Sequence, residues 1–219
     1  MRNLIKVMVI LALIFASTFV IGRALGILTV ENVRAWLEAV HTANPVWVVG
    51  LVVALLFADL FVAVPTLTIT LLAGFFLGFE LGVLAALLGM SLAAFCGYAI
   101  GWRYGDRAVS LIVKDAQDRG ELKDAFQSSG PVMILLSRAA PIVPEVTACM
   151  AGVTRMPLLR YAVLFAFSTI PYVAIAAYAG SVSSVDDPKP AILGAIFLYT
   201  TLWLGWVWFK RSRRRSPTP

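Results

Sequence analysis

Residues 137–154 read SRAAPIVPEVTACMAGVT, and the reading of this stretch decides the fold. It lies inside an apolar run, yet Arg138, Pro141, Pro144, Glu145 and Thr147 fall within ten residues of one another. A charge near the centre of a bilayer costs roughly 2.5–3.5 kcal/mol on insertion scales. A proline removes an amide donor and breaks the helical ladder at its own turn. Irregular backbone at membrane depth survives only where protein or a watery cavity surrounds it. The stretch is therefore either a bent, buried, functional element of a membrane domain or a segment outside the membrane.

Composition favours the membrane. The 219 residues are 60% hydrophobic and 14% charged, with a mean hydropathy of +0.88. Soluble domains run at about 45–50% apolar and about 25% charged. The chain reads as an all-α polytopic membrane protein. Its net charge of +6 bears on orientation, because the basic residues cluster at the ends of apolar spans. No basic face is interleaved with aromatics, which argues against nucleic acid as a partner. Cys96 and Cys149 sit in apolar context without CxxC or Cys/His spacing, and read as small core residues with no bridge. His41 is the single histidine. A metal site or a histidine-based triad has nothing to build on, and no cofactor is expected.

Upstream of the stretch, residues 4–22 are apolar apart from Lys6, Ser17 and Thr18. A cleaved signal peptide is the rival reading, but the run is longer than an h-region of about 7–15 residues. A first spanning helix with its N-terminus inside is expected. Residues 29–43 are amphipathic: Val30, Val33, Leu37 and Val40 follow helical spacing, while Glu31, Arg34 and Glu38 take the other side. Thr29 fits an N-cap and Asn44-Pro45 a stop, so a helix lying at the interface is expected. Residues 46–64 are long enough to span but contain Asp59, and Pro65 follows. The next apolar stretch, to Phe79, is too short to cross roughly 30 Å of hydrocarbon, which takes about 20 residues. A full span followed by a surface segment competes here with a re-entrant hairpin turning at Pro65. The hairpin is preferred, because residues 71–77 are too apolar for a loop.

Residues 81–101 read as a span lined with small residues, which let helices approach closely in lipid. Residues 106–127 are the one strongly charged internal segment. Lys114 with Asp118, and Asp115 with Arg119, have i,i+4 spacing, and Gly130-Pro131 punctuates the end of a helix expected on the membrane surface. Beyond the opening stretch, residues 158–180 form a span containing Pro171, and residues 181–190 a polar turn with Asp186 and Asp187. Residues 191–209 form a last span with Trp203, Trp206 and Trp208 near its exit. A basic run from Lys210 to Arg215 ends the chain on the cytoplasmic side by the positive-inside rule.

The two irregular segments match one another. Asp59 lies six residues before Pro65 and Arg138 six before Pro144; Thr68 and Thr147 each lie three after their proline. Ala73-Gly74 and Ala151-Gly152 follow one residue out of step, and a spanning helix follows each. With both termini cytoplasmic, the two hairpins enter from opposite faces, and the basic clusters near helix ends fall inside except Arg23 and Arg34. Opposed broken helices meeting near the midplane are a transporter architecture. The expected organisation is an N-terminal span and outer amphipathic helix over residues 1–45, a membrane domain over 46–180, and a last span with a basic tail over 181–219. In all, four spanning helices flank two opposed re-entrant hairpins related by an inverted repeat.

These residues resemble the VTT-domain membrane proteins, also called SNARE-associated Golgi proteins, within the DedA superfamily. The resemblance runs from about residue 56 to residue 180. It rests on Pro65 with Leu67-Thr68, the run LAGFFLG at 72–78, GWRYG at 101–105, and RAAPIVP at 138–144 leading to AGVT at 151–154. It implies two opposed re-entrant hairpins and movement of phospholipids or polyprenyl phosphates between leaflets, by scrambling or flipping. The match is nearer the eukaryote-like branch than DedA itself. Thr66 stands where DedA-like members carry an acid after the first tip, and Pro144 where they carry a second arginine. The family's two-arginine site is thus half present here.

The leading expectation is a plasma-membrane transporter for a lipid or lipid phosphate. Arg138 would grip the phosphate through its planar fork. Asp59 and Glu145 would balance that charge, one of them exchanging a proton. Thr66, Thr68 and Thr147 would supply hydroxyls, and Pro65, Pro141 and Pro144 would form the hairpin tips. Asp59 and Arg138 are further expected to pair. Neutralisation of these charges as a purely structural lock stays open, and so does a non-transporting membrane scaffold or assembly factor. Lipids and the lipid-phosphate substrate are the expected partners, with protons and a homo-oligomer open. An enzyme is not expected, since neither Gly-x-Ser-x-Gly nor His-Glu-x-x-His occurs.

Overall fold

Apolar runs punctuated by proline and glycine give an all-helical chain. A computed structural model describes residues 2–24, 30–41, 44–62, 64–184 and 187–214. Eight α-helices appear among them: α1 (Arg2–Ala24), α2 (Val30–His41), α3 (Pro45–Ala58), α4 (Thr66–Ile112), α5 (Ala116–Leu135), α6 (Val143–Val153), α7 (Leu158–Ser181) and α8 (Lys189–Arg214). A single 3-10 turn, Ser137–Ala139, stands between α5 and α6. Two helices, Thr66–Ile112 and Leu158–Ser181, are long and apolar enough to cross a membrane; shorter apolar helices lie at 5–18, 45–58, 143–153 and 189–205.

Helix α2 is amphipathic as its spacing predicts. Val33 and Leu37 are fully buried, and the outward Arg34 and Glu38 form an i,i+4 pair at 2.7 Å. Thr29, its expected cap, lies outside the described residues, as do Asp186 and the side chains of Trp206, Trp208 and the basic tail. Asn44 caps α3, accepting the Val46 amide at 2.9 Å with Pro45 in the first turn. Helix α3 has 14 residues, a length of about 21 Å.

Helix α4 is the organising element. It packs against α3, α6 and α7, and it joins the expected hairpin limb to Phe79 and the expected span over 81–101 in one helical run. Its helical run begins at Thr66, directly after Pro65, and continues to Ile112 with one break at Gly78, where φ is 76° and ψ is 177°. Glycine reaches that left-handed φ without a Cβ clash. The break separates a first limb, 66–77, of about 18 Å, from a long limb over 79–112.

The surface segment also differs from expectation. Residues 106–112 extend α4, and a new helix starts at Ala116, capped by Asp115 accepting the Gln117 amide at 2.7 Å. The Lys114–Asp118 and Asp115–Arg119 pairs do not form among the described residues. Asp115 is committed to its cap, and Arg119 donates to the Val113 and Lys114 carbonyls. Gly130-Pro131 does not end the helix, which continues to Leu135. The buried Phe126 ring packs against the bare face of Gly130, so tertiary contact outweighs the local breaker signal.

Two pairs of glycines set the packing around α4. A methyl group at Gly74, in the first limb, would overlap the Ala177 carbonyl of α7; one at Gly180 of α7 would overlap the Leu71 carbonyl. A methyl at Gly152 of α6 would overlap the Tyr98 carbonyl of α4; one at Gly101 of α4 would overlap the Cys149 carbonyl. Each short limb thus lies backbone-to-backbone against the long helix that follows the other limb. Gly74 and Gly152, at which the two irregular segments match in sequence, each make one side of this reciprocal contact.

Candidate functional site: a charged centre between two cavities

The polar residues singled out in the sequence converge on two adjoining cavities. The wide one, about 500 Å³, is lined by Asp59, Pro65, Thr66, Thr68, Arg138, Pro141, Pro144 and Glu145, with Tyr172 and Tyr199 added from α7 and α8. Its remaining wall is apolar, including Leu67, Leu71 and Ile142. The narrow one, about 20 Å³, is lined by Ser137, Thr147, Tyr161, Phe165 and Ser168 among others. Asp59, Arg138, Pro144 and Glu145 line both. Thr147 is the one candidate that faces only the narrow cavity.

Local chemistry fixes each group. Asp59 ends α3 and is 7% exposed. Its Oδ1 accepts the Val64 amide at 2.8 Å, bridging the turn that delivers Pro65. Pro65 in turn precedes the first residue of α4, where a missing N–H costs nothing. Arg138 lies in the 3-10 turn after α5. Ile142 follows with a φ of 72°, unfavourable for a β-branched residue, and turns the chain into α6 with Pro144 and Glu145 in its first turn. The Thr147 hydroxyl donates back to the Pro144 carbonyl at 3.0 Å.

The arginine's partners are not the expected ones. No ion pair within 4.0 Å joins Arg138 to Asp59 or Glu145; the ion pairs among the described residues lie elsewhere. Asp59 is turned into its own tip by the Val64 amide. Arg138 instead leans on α7. Its Nη2 donates to Thr169 Oγ1 at 3.1 Å, and its guanidinium carbon lies 5.9 Å from the Phe165 ring centroid and 5.6 Å from that of Tyr172. Thr169 is fully buried. Phe165, Thr169 and Tyr172 recur at helical spacing, so α7 presents one face to the guanidinium. Sequence reading treated α7 as a plain span. The signal was there, as a Phe-x-x-Ser-Thr-x-x-Tyr pattern around Pro171, but nothing in the chain order connects it to Arg138.

A second charged cluster sits at the end of the long limb. Arg155, at a φ of 56°, stacks on Trp102 with its guanidinium carbon 4.4 Å from the ring centroid. It bonds Asp106 at 3.2 Å, and Lys123 of α5 reaches the same carboxylate at 3.3 Å. These side chains are about half exposed, so the cluster ties α4, α5 and the α6–α7 turn together only modestly.

The family model for the VTT domain matches residues 64–182. Over 133 residues the chain is 32% identical to undecaprenyl phosphate transporter A of Bacillus subtilis (strain 168), covering 57% of this chain and 64% of that protein. The match thus spans a little under two thirds of the relative's length. No solved structure matches the chain. With its apolar helices, the chain is an integral membrane protein.

Proposed function

The chain belongs to the VTT-domain family, and on that footing we propose that it moves a lipid phosphate, either a phospholipid or a polyprenyl phosphate, between the leaflets of the plasma membrane. The observation that carries this reading is Arg138: a permanent cation lining a cavity of about 500 Å³, with no acid at ion-pair distance and apolar walls beside it. The guanidinium suits phosphate oxygens, and the apolar wall suits the adjoining chain. The relative that transports undecaprenyl phosphate supports the same substrate class. Asp59 and Glu145 are the carboxyl groups in the cavity that can exchange a proton with the cycle.

In this reading α3 with residues 66–77, and the 3-10 turn with α6, are re-entrant hairpins of opposite entry. Their short lengths and the reciprocal glycine contacts support that inverted relation. A cavity shared by both tips favours transport over a purely structural scaffold. The test is lipid exchange in vesicles containing the purified full chain, with a fluorescent polyprenyl phosphate in one arm and a fluorescent phospholipid in the other. Arg138→Lys is expected to insert normally and lose most exchange, because a point charge replaces the fork. Normal exchange by Arg138→Lys overturns the phosphate grip.

A further inference from the structure

Two buried polar atoms among the described residues have no hydrogen-bond partner in the protein: Arg138 Nε and Ser168 Oγ. Both residues line the same narrow cavity. A buried donor without a partner costs about 1–3 kcal/mol, more when charged, so two such atoms on residues that line one space call for a common partner. Ser137, Thr147, Ser181 and Ser183 all donate back to a carbonyl three or four residues earlier. Ser168 forgoes that default bond.

The free volume is about 20 Å³. A water needs roughly 10–15 Å³ of such space and two to four polar partners. A phosphate group does not fit, and neither does a lipid chain. We propose that the narrow cavity is a binding site for one water molecule, which accepts from Arg138 Nε–H and exchanges a hydrogen bond with Ser168 Oγ. Its own protons reach acceptors on the same wall: the Glu145 carboxylate, or the hydroxyl oxygens of Ser137 and Thr147, whose protons are already donated to carbonyls.

The consequence for Arg138 is a division of its donors. One Nη2 proton goes to Thr169 and Nε goes to the water, which fixes the plane of the guanidinium on α7. The end-on edge, Nη1 with the second Nη2 proton, stays available to the wide cavity. Ser168 and Thr169 are then positioning residues: neither touches the lipid, and both hold the group that does. Where the water donates to Glu145 rather than to Ser137 or Thr147, it also links Arg138 to that acid without an ion pair, so a change at the acid is felt at the arginine through one bridging molecule. This last role rests on the transport reading above; the hydration site does not.

The test is NMR of the full-length protein in lipid nanodiscs with arginine labelled at Nε. Arg138→Lys identifies the Arg138 signal by its loss. Wild-type protein is expected to show a cross-peak between Arg138 Hε and water, and Ser168→Val, which fills the chamber with methyl groups, is expected to abolish it while leaving the other arginine signals in place. If Ser168→Val does not accumulate, Ser168→Ala is expected to weaken the cross-peak at least threefold. Absence of the cross-peak in the wild type overturns the proposal. So does a cross-peak of unchanged strength in the serine variants, because the water would then belong to the wide cavity. None of these readouts depends on lipid movement, so a failed transport assay leaves them standing and a missing water leaves the transport reading standing.

Discussion

Replacing Thr169 with valine removes a single hydroxyl from a fully buried position and keeps the side-chain shape. The structure makes its effect specific, because that hydroxyl oxygen accepts from Arg138 Nη2 at 3.1 Å. A hydrogen bond to a charged group is worth about 1.5–3 kcal/mol. If the bond serves to hold the guanidinium in its transport-ready position, that energy translates into a roughly ten- to hundredfold fall in the competent population, at about 1.4 kcal/mol per tenfold. The ring contacts to Phe165 and Tyr172 persist and partly hold the group, at about 0.5–1 kcal/mol or more each, so the lower half of that range is expected. The assay is lipid-phosphate exchange in vesicles, read beside the thermal midpoint of the same purified variant. Thr169→Val should cut exchange about tenfold while the midpoint moves little, because valine keeps the side-chain shape at this fully buried position. Exchange within twofold of wild type, in a background where Arg138→Lys is inactive, would refute the argument that α7 positions the arginine. A large fall in the midpoint with exchange per folded molecule unchanged would refute it equally.

Other expectations follow from the same geometry. Gly152→Ala should destabilise by about 1–3 kcal/mol or more, since its methyl overlaps the Tyr98 carbonyl and backbone must move; Gly50→Ala, which meets nothing within 4 Å, should be neutral or slightly stabilising in the same thermal assay. Asp106→Asn should change stability by less than about 1 kcal/mol, because its bonds to Arg155 and Lys123 are half exposed, and added salt should shrink the difference further. An introduced cysteine at Asp187 should react only with reagent on the outer face if both termini are cytoplasmic; labelling only from the cytoplasm would reverse the orientation.

Much of this protein was legible in one dimension. Apolar runs of helical length, broken by Pro65, Pro141 and Pro144, gave the helical class and the two irregular tips, because a proline removes an amide donor and clustered prolines beside charges leave the helical ladder unsupported. The polar residues near those tips were readable for a related reason. A charge or hydroxyl in an apolar run is costly unless it faces other polar groups, so Asp59, Thr66, Thr68, Arg138, Glu145 and Thr147 were bound to gather, and they line the two adjoining cavities. The amphipathic face of α2 was equally secure, since its period is local.

What the chain order could not decide is which buried group meets which. The pairing of Asp59 with Arg138 followed from their matched offsets. In the structure a nearer donor, the Val64 amide, takes the aspartate, and α7 takes the arginine through Thr169, 31 residues further along the chain. The continuity of α4 past Gly78 and of α5 through Gly130-Pro131 was likewise a tertiary outcome. A glycine at positive φ redirects a helix only where its neighbours hold both limbs, and a Gly-Pro pair breaks one only where no ring covers it. Local propensities amount to a few kcal/mol at most, and burial against α3, α6 and α7 outweighs them. The sequence by itself therefore determined the helical class, the irregular tips at Pro65, Pro141 and Pro144, and the polar residues that had to gather. Only the tertiary structure decided the partners within that gathering, because a desolvated donor bonds the acceptor that packing brings nearest rather than the one with the opposite charge.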